Sequence, residues 1–437
     1  MTFGRAIRAI SWTAALIGSA LLAVPAAAQD KVLKIGVIYD YTGPFAGGGS
    51  ELHAWGTKAA IDMVNERGGV EGYRIEATYA DAQSKPDVAI NEAERMLTHV
   101  GVDMLMGVFS SAQCVPLAAK VDAMKKFLWI NTCISPAVLR DRHLNYVFRP
   151  QVHGGQFGEM STDMIAHYAK PKLGIEPKDL RVAIIHEDGP YGVGVAEGNA
   201  EGIKKHGMQL VHKEGYSAVA PDMSSLVTKL KRARPDVILH TGYNPDITLF
   251  FRQAREQGLR FRALVGHGAG YGEVERMRAA LGDDINYVFD VDPVASTLVD
   301  PAKYRPEIAR LVKEMEAAYF RDHPKATETS VHVSIGFGHT WIFLTDVLPR
   351  AIRKYGGVSA DALRQAALDT DIPEGGTTQV YGVKFNPPEH EMAGQNMRAF
   401  PSIFQYVDGR SKIVWPLAVA GAEPVLPLPP SSPYGMR

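Results

Sequence analysis

Four hydroxyl side chains, Ser110, Ser111, Thr132 and Ser135, fall in two short segments that each follow an apolar run. The first pair stands where a helix is expected to begin. The leading N–H groups of a helix have no intrahelical partner and the helix dipole is positive there, so hydroxyls at that point suit an anion. No Lys or Arg lies nearby, which fits a carboxylate better than a bulky phosphate. Helix capping by serine would account for any one of these residues. Two adjacent loops with the same chemistry favour a site. Farther along, Tyr191, Tyr243 and Tyr271 each follow another apolar run. A tyrosine can wall an apolar ligand and still donate a hydrogen bond, or it can simply cover its own core. A cleft that is polar on one side and aromatic on the other is a common small-molecule site.

Catalytic and metal chemistry finds no comparable foothold. The chain lacks a G-x-S-x-G elbow, an H-E-x-x-H pair and a phosphate-cradling P-loop. Gly192-Val193-Gly194 followed by Gly198 is one residue too long for a dinucleotide fingerprint, and it reads as glycines easing helix–sheet packing. The 14 histidines, His53, His153, His186, His267 and His339 among them, show no paired spacing. No metal, no cofactor and no enzyme activity are therefore expected. Lys plus Arg total 47 against 48 for Asp plus Glu, a balance that argues against nucleic acid as a partner.

The elements that must position these loops follow one rhythm. Lys34–Tyr39, Arg74–Tyr79, Met104–Val108 and Phe127–Asn131 read as strands. Ala54–Arg67, Pro86–His99 and Val115–Lys125 read as the helices between them. Strands apolar on both faces and alternating with helices predict a doubly wound parallel sheet. The rhythm restarts after a crossing at residues 154–186, with strands at Arg181–His186, Gln209–Tyr216, Val237–His240 and Ala263–Gly266. The fold class is α/β, with two such lobes joined by a hinge. Lobe 1 is expected over residues 29–150, with part of 280–380 returning to it. Lobe 2 is expected over 151–280, with part of the C-terminal region. Val383–Phe385 and Ser402–Tyr406 read as a hairpin, and residues 417–437 as a Pro-rich tail extended over the surface.

The N-terminus supplies an address. Arg5 and Arg8 precede a short apolar run that ends in Ala26-Ala27-Ala28, the pattern of an export signal over residues 1–28. A buried helix or a membrane anchor is the competing reading of that run. Gln29, not Cys, follows, so a lipid-anchored start is not expected. A soluble, exported, periplasmic protein is. Export makes Cys114 and Cys133, which follow successive predicted strands, eligible to pair. Two small buried apolar side chains are the alternative.

Several short motifs recur in one order. They include Lys34-Ile35-Gly36-Val37 with Thr42-Gly43-Pro44, Asn65-Glu66-Arg67-Gly68-Gly69-Val70, Gly107-Val108-Phe109-Ser110-Ser111 and Tyr191-Gly192. Gln253-Ala254-Arg255-Glu256-Gln257-Gly258 and Gln405-Tyr406-Val407-Asp408-Gly409 complete the series. Through them essentially the whole chain after residue 28 resembles the branched-chain amino acid binding proteins of ABC transporters, of periplasmic binding protein type I fold. The resemblance implies two lobes closing over a solute that is then delivered to membrane permease subunits. It places the carboxylate contact on Ser110 or Ser111, the next hydroxyl on Ser135 with backbone near Cys133, and two aromatic walls on Tyr191 and Tyr243. It also implies an acidic residue for the ligand ammonium where this chain has His267, which leaves Asp246, Asp290 or Asp292 to compensate. The expected ligand is a small hydrophobic or aromatic carboxylate, or a hydrophobic amino acid with a substitute counter-charge. A ligand-sensing receptor of the same fold is the alternative, and a monomer the expected state.

Overall fold

The structure is a computed structural model that describes residues 1–2 and 31–436. The export signal expected over 1–28 lies almost wholly outside the described residues. Among the described residues no helix is long and apolar enough to cross a membrane.

Five parallel strands form the first sheet in the order β2-β1-β3-β4-β5: β1 Lys31–Tyr39, β2 Tyr73–Asp81, β3 Met104–Gly107, β4 Phe127–Ile130 and β5 Val147–Phe148. Helices α1 Ser50–Glu66, α2 Pro86–Arg95 and α3 Ser111–Ala123 connect them. Side chains alternate across a strand, and here both faces are apolar. Ile35, Val37, Met106 and Trp129 enter one core, while Ile38, Leu105, Leu128 and Ile130 enter the core under α2 and α3.

The second sheet has the order β12-β11-β10-β9-β8-β6-β7. Its parallel part comprises β6 Arg181–Glu187, β7 Gln209–Tyr216, β8 Val237–Thr241, β9 Ala263–His267 and β10 Phe289–Pro293. Helices α4 Gly154–Tyr168, α5 Pro190–Lys205, α6 Ser224–Ala233, α7 Asn244–Glu256 and α8 Val274–Leu281 accompany it. Val182, Ile184, Leu239 and Val265 join the same core as the first sheet, and Ala183, Ile185, Ile238 and Leu264 join the core under α6–α8. Among the glycines of α5, Gly192 packs against the end of strand β6 as the sequence suggested, whereas Gly198 packs against a helix. A Cβ on Gly198 would lie 2.4 Å from the Gly155 carbonyl of α4.

The chain then forms α9 Pro306–Asp322, α10 Val331–Ile342, α11 Leu348–Tyr355 and α12 Ala360–Leu368. Helix α10, buried except at Trp341, packs on α1, and its His339 carbonyl accepts the Trp129 indole N–H at 3.0 Å. Chain passages near 149–151 and 394–396 run side by side. The Arg149 N–H donates to the Gly394 carbonyl, and the Asn396 N–H to the Arg149 carbonyl, each at 2.9 Å.

The hairpin differs from expectation. β11 Pro401–Val407 pairs with β12 Arg410–Trp415, and Val383 and Phe385 make only isolated bridges to Ile372 and Asn396. Asp408-Gly409 decides this. Both residues have positive φ, the requirement of a two-residue turn that matches strand twist. The Pro-rich tail is anchored near its end. Tyr434 stacks on Phe261 at 5.5 Å between centroids and donates its hydroxyl to the Phe251 carbonyl.

Candidate functional site

The first wall of the site forms at the C-terminal ends of β3 and β4. Helix α3 starts at Ser111, with Ser110 in extended conformation before it. The Ser111 hydroxyl accepts the Ser135 N–H at 3.1 Å, which leaves its own proton free to donate. A disulfide joins Cys114 of α3 to Cys133 in the loop after β4. Beneath that loop the buried Arg149 guanidinium donates to the carbonyls of Cys133 (3.2 Å) and Ser135 (2.8 Å). Burial without a carboxylate partner pushes the Arg149 pKa down to about 9. The loop carrying Thr132 and Cys133 is thus held from both sides.

The second wall comes from β6, β8 and β10. Pro190 opens α5, which sets Tyr191 in its first turn, and the Tyr191 hydroxyl donates to the His267 carbonyl. Tyr243 stands at the start of α7, its N–H held by Asp246 at 2.8 Å. Its ring stacks on Phe45 at 4.1 Å and tilts against Tyr191 at 5.4 Å. Its hydroxyl lies 3.5 Å from that of Ser110, across the cleft. Burial raises the pKa of both tyrosines, so each stays a neutral hydroxyl.

Between the walls lies a small cavity of about 40 Å³, partly open to solvent. Ser111, Cys133, Tyr191 and Tyr243, all expected from the sequence, line it, and Thr132 joins them. Ser110, Ser135 and His267 are not among the lining residues. Ser110 bridges the walls, and the Ser135 hydroxyl turns to the Ala137 N–H. His267 is fully buried among Thr241, Ser161, Asn199 and the His240 carbonyl. Tyr271 covers its own core, its hydroxyl 2.6 Å from His240 Nδ1.

The lining also includes Phe109, Ile134, Phe157 and Ile335, an apolar set, together with His53, Gln151, Asp292 and His332. Of these, His53, Gln151 and His332 carried no sequence signal that raised them as candidates. His332 lies within the apolar run at the start of α10, where a buried polar residue was the one available hint. Burial holds His332 down to about 4, and burial with the neighbouring His332, 4.6 Å away between centroids, holds His53 well below the usual imidazole range. Both are neutral near pH 7. Thr132 Oγ1, Gln151 Oε1 and Asp292 Oδ2 have no hydrogen-bond partner among the described residues. Among the described residues no group of three or more His, Cys, Asp or Glu is placed to hold a metal ion.

Two doubly wound units whose strand ends face a shared cavity define a two-lobed solute-binding protein. The chain belongs to the periplasmic binding protein family, whose match runs over residues 32–401. It is 33% identical over 405 residues to the Leu/Ile/Val-binding protein homolog 7 of Brucella abortus (strain 2308), covering 93% of this chain and 96% of that one. It is 31% identical over 402 residues to homolog 8 of Brucella suis biovar 1, covering 92% and 95%. Among solved structures it resembles the leucine binding protein LivK of Thermotoga maritima, with TM-score 0.71 at 19% identity over 87% of this chain and 97% of that one. It is equally similar in fold to a fatty acid ABC transporter substrate-binding protein from Thermomonospora curvata, with TM-score 0.71 at 19% identity over 88% and 92%.

Proposed function

We propose that this chain is the periplasmic solute-binding component of an ABC importer. It captures a small hydrophobic carboxylate or amino acid between its lobes and presents it, as a monomer, to permease subunits in the membrane. Lobe 1 comprises residues 29–150 with the returning helices of 280–380, and lobe 2 comprises 151–280 with the C-terminal strands. The signal over 1–28 is removed on export. The protein performs no catalysis on its solute and needs no cofactor.

The observation that carries this reading is the convergence of Ser111 with Tyr191 and Tyr243 on one cavity from separate sheets. Ser111 and the leading N–H groups of α3, those of Ser111 and Ala112, suit the carboxylate. The tyrosines, Phe109 and Ile134 suit an apolar body. The names of the Brucella relatives and of the leucine-binding structure point the same way. The closed arrangement is then maintained by contacts that a solute makes with both walls at once.

A thermal-shift screen of the mature protein tests the reading. A solute that binds only the folded state raises the melting temperature by mass action. Stabilisation by hydrophobic amino acids or by matched carboxylates is expected. A flat response to every aliphatic and aromatic member of both sets would overturn it.

A further inference from the structure

A second, smaller cavity lies beside the solute cleft. It holds about 20 Å³ between β10, β11, β12 and the segment leading into α10, room for one water-sized occupant. Gly272 stands between the two cavities. It lines this one, and a Cβ there would come within 2.7 Å of Asp292 Oδ2 in the other.

Three oxygens from its wall have no hydrogen-bond partner among the described residues: Asp290 Oδ1, Thr329 Oγ1 and the Tyr406 hydroxyl. Their residues are only 1%, 6% and 2% exposed. Strand register brings two of them to one face. Asp290 of β10 pairs with Phe404 of β11, and Tyr406, two residues on, takes the same side of the sheet. Thr329 arrives from the segment just before α10. A polar atom buried without a partner is costly, and one small occupant touching all three would relieve them together.

The charge around the cavity selects the kind of occupant. Ser411, also in the wall, gives its hydroxyl proton to Glu328 at 3.1 Å, so its oxygen can only accept further. Burial, with Asp290, Glu328, Asp292 and Glu273 all acting in the same direction, holds Tyr406 as a neutral hydroxyl. No Lys or Arg lines the cavity. Arg278 relieves Glu328 and Arg276 relieves Glu273. The Gly268 N–H favours the charged form of Asp290, but among the described residues no cationic side chain acts on Asp290 or Asp292.

We propose that this cavity is a site for one small monovalent cation, of the size of sodium, held by Asp290, Thr329 and Tyr406. The single carboxylate matches one positive charge, where a divalent ion usually gathers several. The donors are all hard oxygens, without the imidazole or thiolate that selects zinc or copper, and so no cluster of His, Cys, Asp or Glu marks the place. The ion ties the second sheet to the segment that enters α10, the helix packed on α1 of the first lobe. This proposal is independent of which solute the main cleft takes.

Thermal melting of the mature protein in sodium or choline chloride, at equal ionic strength and pH 8, tests it. Burial raises the Asp290 pKa, and the alkaline pH limits competition from the proton. Sodium should raise the melting temperature over choline by about 2 °C or more, and saturably, because an ion bound only by the folded state stabilises it by mass action. D290N should abolish that increment, since Asn keeps the shape and loses the charge. Identical melting of the wild type in both salts would overturn the proposal and leave the cavity to a neutral water. A sodium increment undiminished in D290N would be a general salt effect and would overturn it as well. If D290N does not fold, T329V decides. Its half-saturation should need about tenfold more sodium, and an unchanged requirement would sink the site.

Discussion

The two walls of the cleft are built from the same β-α units and carry opposite chemistry. On the first, the strand ends deliver Ser111, Thr132 and the disulfide-held Cys133, with a helix start behind them. On the second, they deliver Tyr191, Tyr243 and Asp292. Buried acids concentrate on the second side: Glu187, Asp246, Glu273, Asp290 and Asp292 are all raised in pKa by burial. The first side has Asp40 as its counterpart, raised by burial to about 6 and accepting the Gln113 side-chain N–H at 2.7 Å. Repeated architecture therefore does not make a symmetric site. It sets hydroxyls and a helix start on one side of the cleft against tyrosines and buried acids on the other.

The walls meet at Tyr243, and removing that ring should have the largest effect. Tyr243→Ala deletes the stack on Phe45 and the hydroxyl approach to Ser110, both contacts across the cleft. Loss of solute affinity by about a hundredfold is expected in calorimetry, as for a buried aromatic anchor. Tyr243→Phe keeps the ring and should cost no more than about tenfold. Equal, small effects of both would mean that the walls do not close through this residue.

A covalent device belongs to the first wall alone. Cys114 and Cys133, 19 residues apart, tie α3 to the loop that presents Thr132. Replacing both with Ala should lower unfolding stability by about 2–4 kcal/mol in denaturant titration. The second wall has no such link and should unfold at unchanged denaturant if the lobes separate. A single transition shifted as a whole would show that the shared core couples them.

Ser111→Ala sharpens the same comparison. It should weaken L-leucine and isocaproate alike, by about tenfold, because each presents a carboxylate to the first wall. A Ser111→Ala protein with unchanged affinity for both would break the assignment of the anion to α3.

Most of the scaffold was legible in the chain because strands buried on both faces read as continuous apolar runs. The start of α3 at Ser110-Ser111 and the two cavity-lining tyrosines followed from what comes after each strand. Position 267 shows the limit. Sequence order puts it at a strand end, yet which face it takes depends on its register with β10, and that is a non-local pairing. His53 and His332 were invisible for a similar reason: helices distant in sequence, α1 and α10, bring them together. The hairpin was misread although Asp408-Gly409 announced it, because two apolar runs nearer in composition drew the pairing elsewhere.

The smallest expected effect concerns Glu273, beside the second wall. It is buried, accepts the Ser330 hydroxyl at 3.2 Å, and lies 3.5 Å from His332 Nε2. Burial raises its pKa to about 7, from an ordinary glutamate value of 4.5. The folded state therefore holds a proton that the unfolded chain releases. Its stabilising contribution is complete below pH 4.5 and is lost as pH rises through about 7. Glu273→Gln keeps the shape and removes the ionisation. At pH 5 the two proteins should melt together, and at pH 8 the variant should melt higher, by about a few degrees. The histidines of the cavity oppose any simple reading of the wild-type profile. His332, held near 4, contributes stability above pH 6.5 that is lost on acidification through about 4. The difference between variant and wild type cancels that background and isolates the acid. A gap that stayed constant from pH 5 to 8 would mean that Glu273 remains ionised throughout, and that the acidic side of the cleft holds its charge without a ligand.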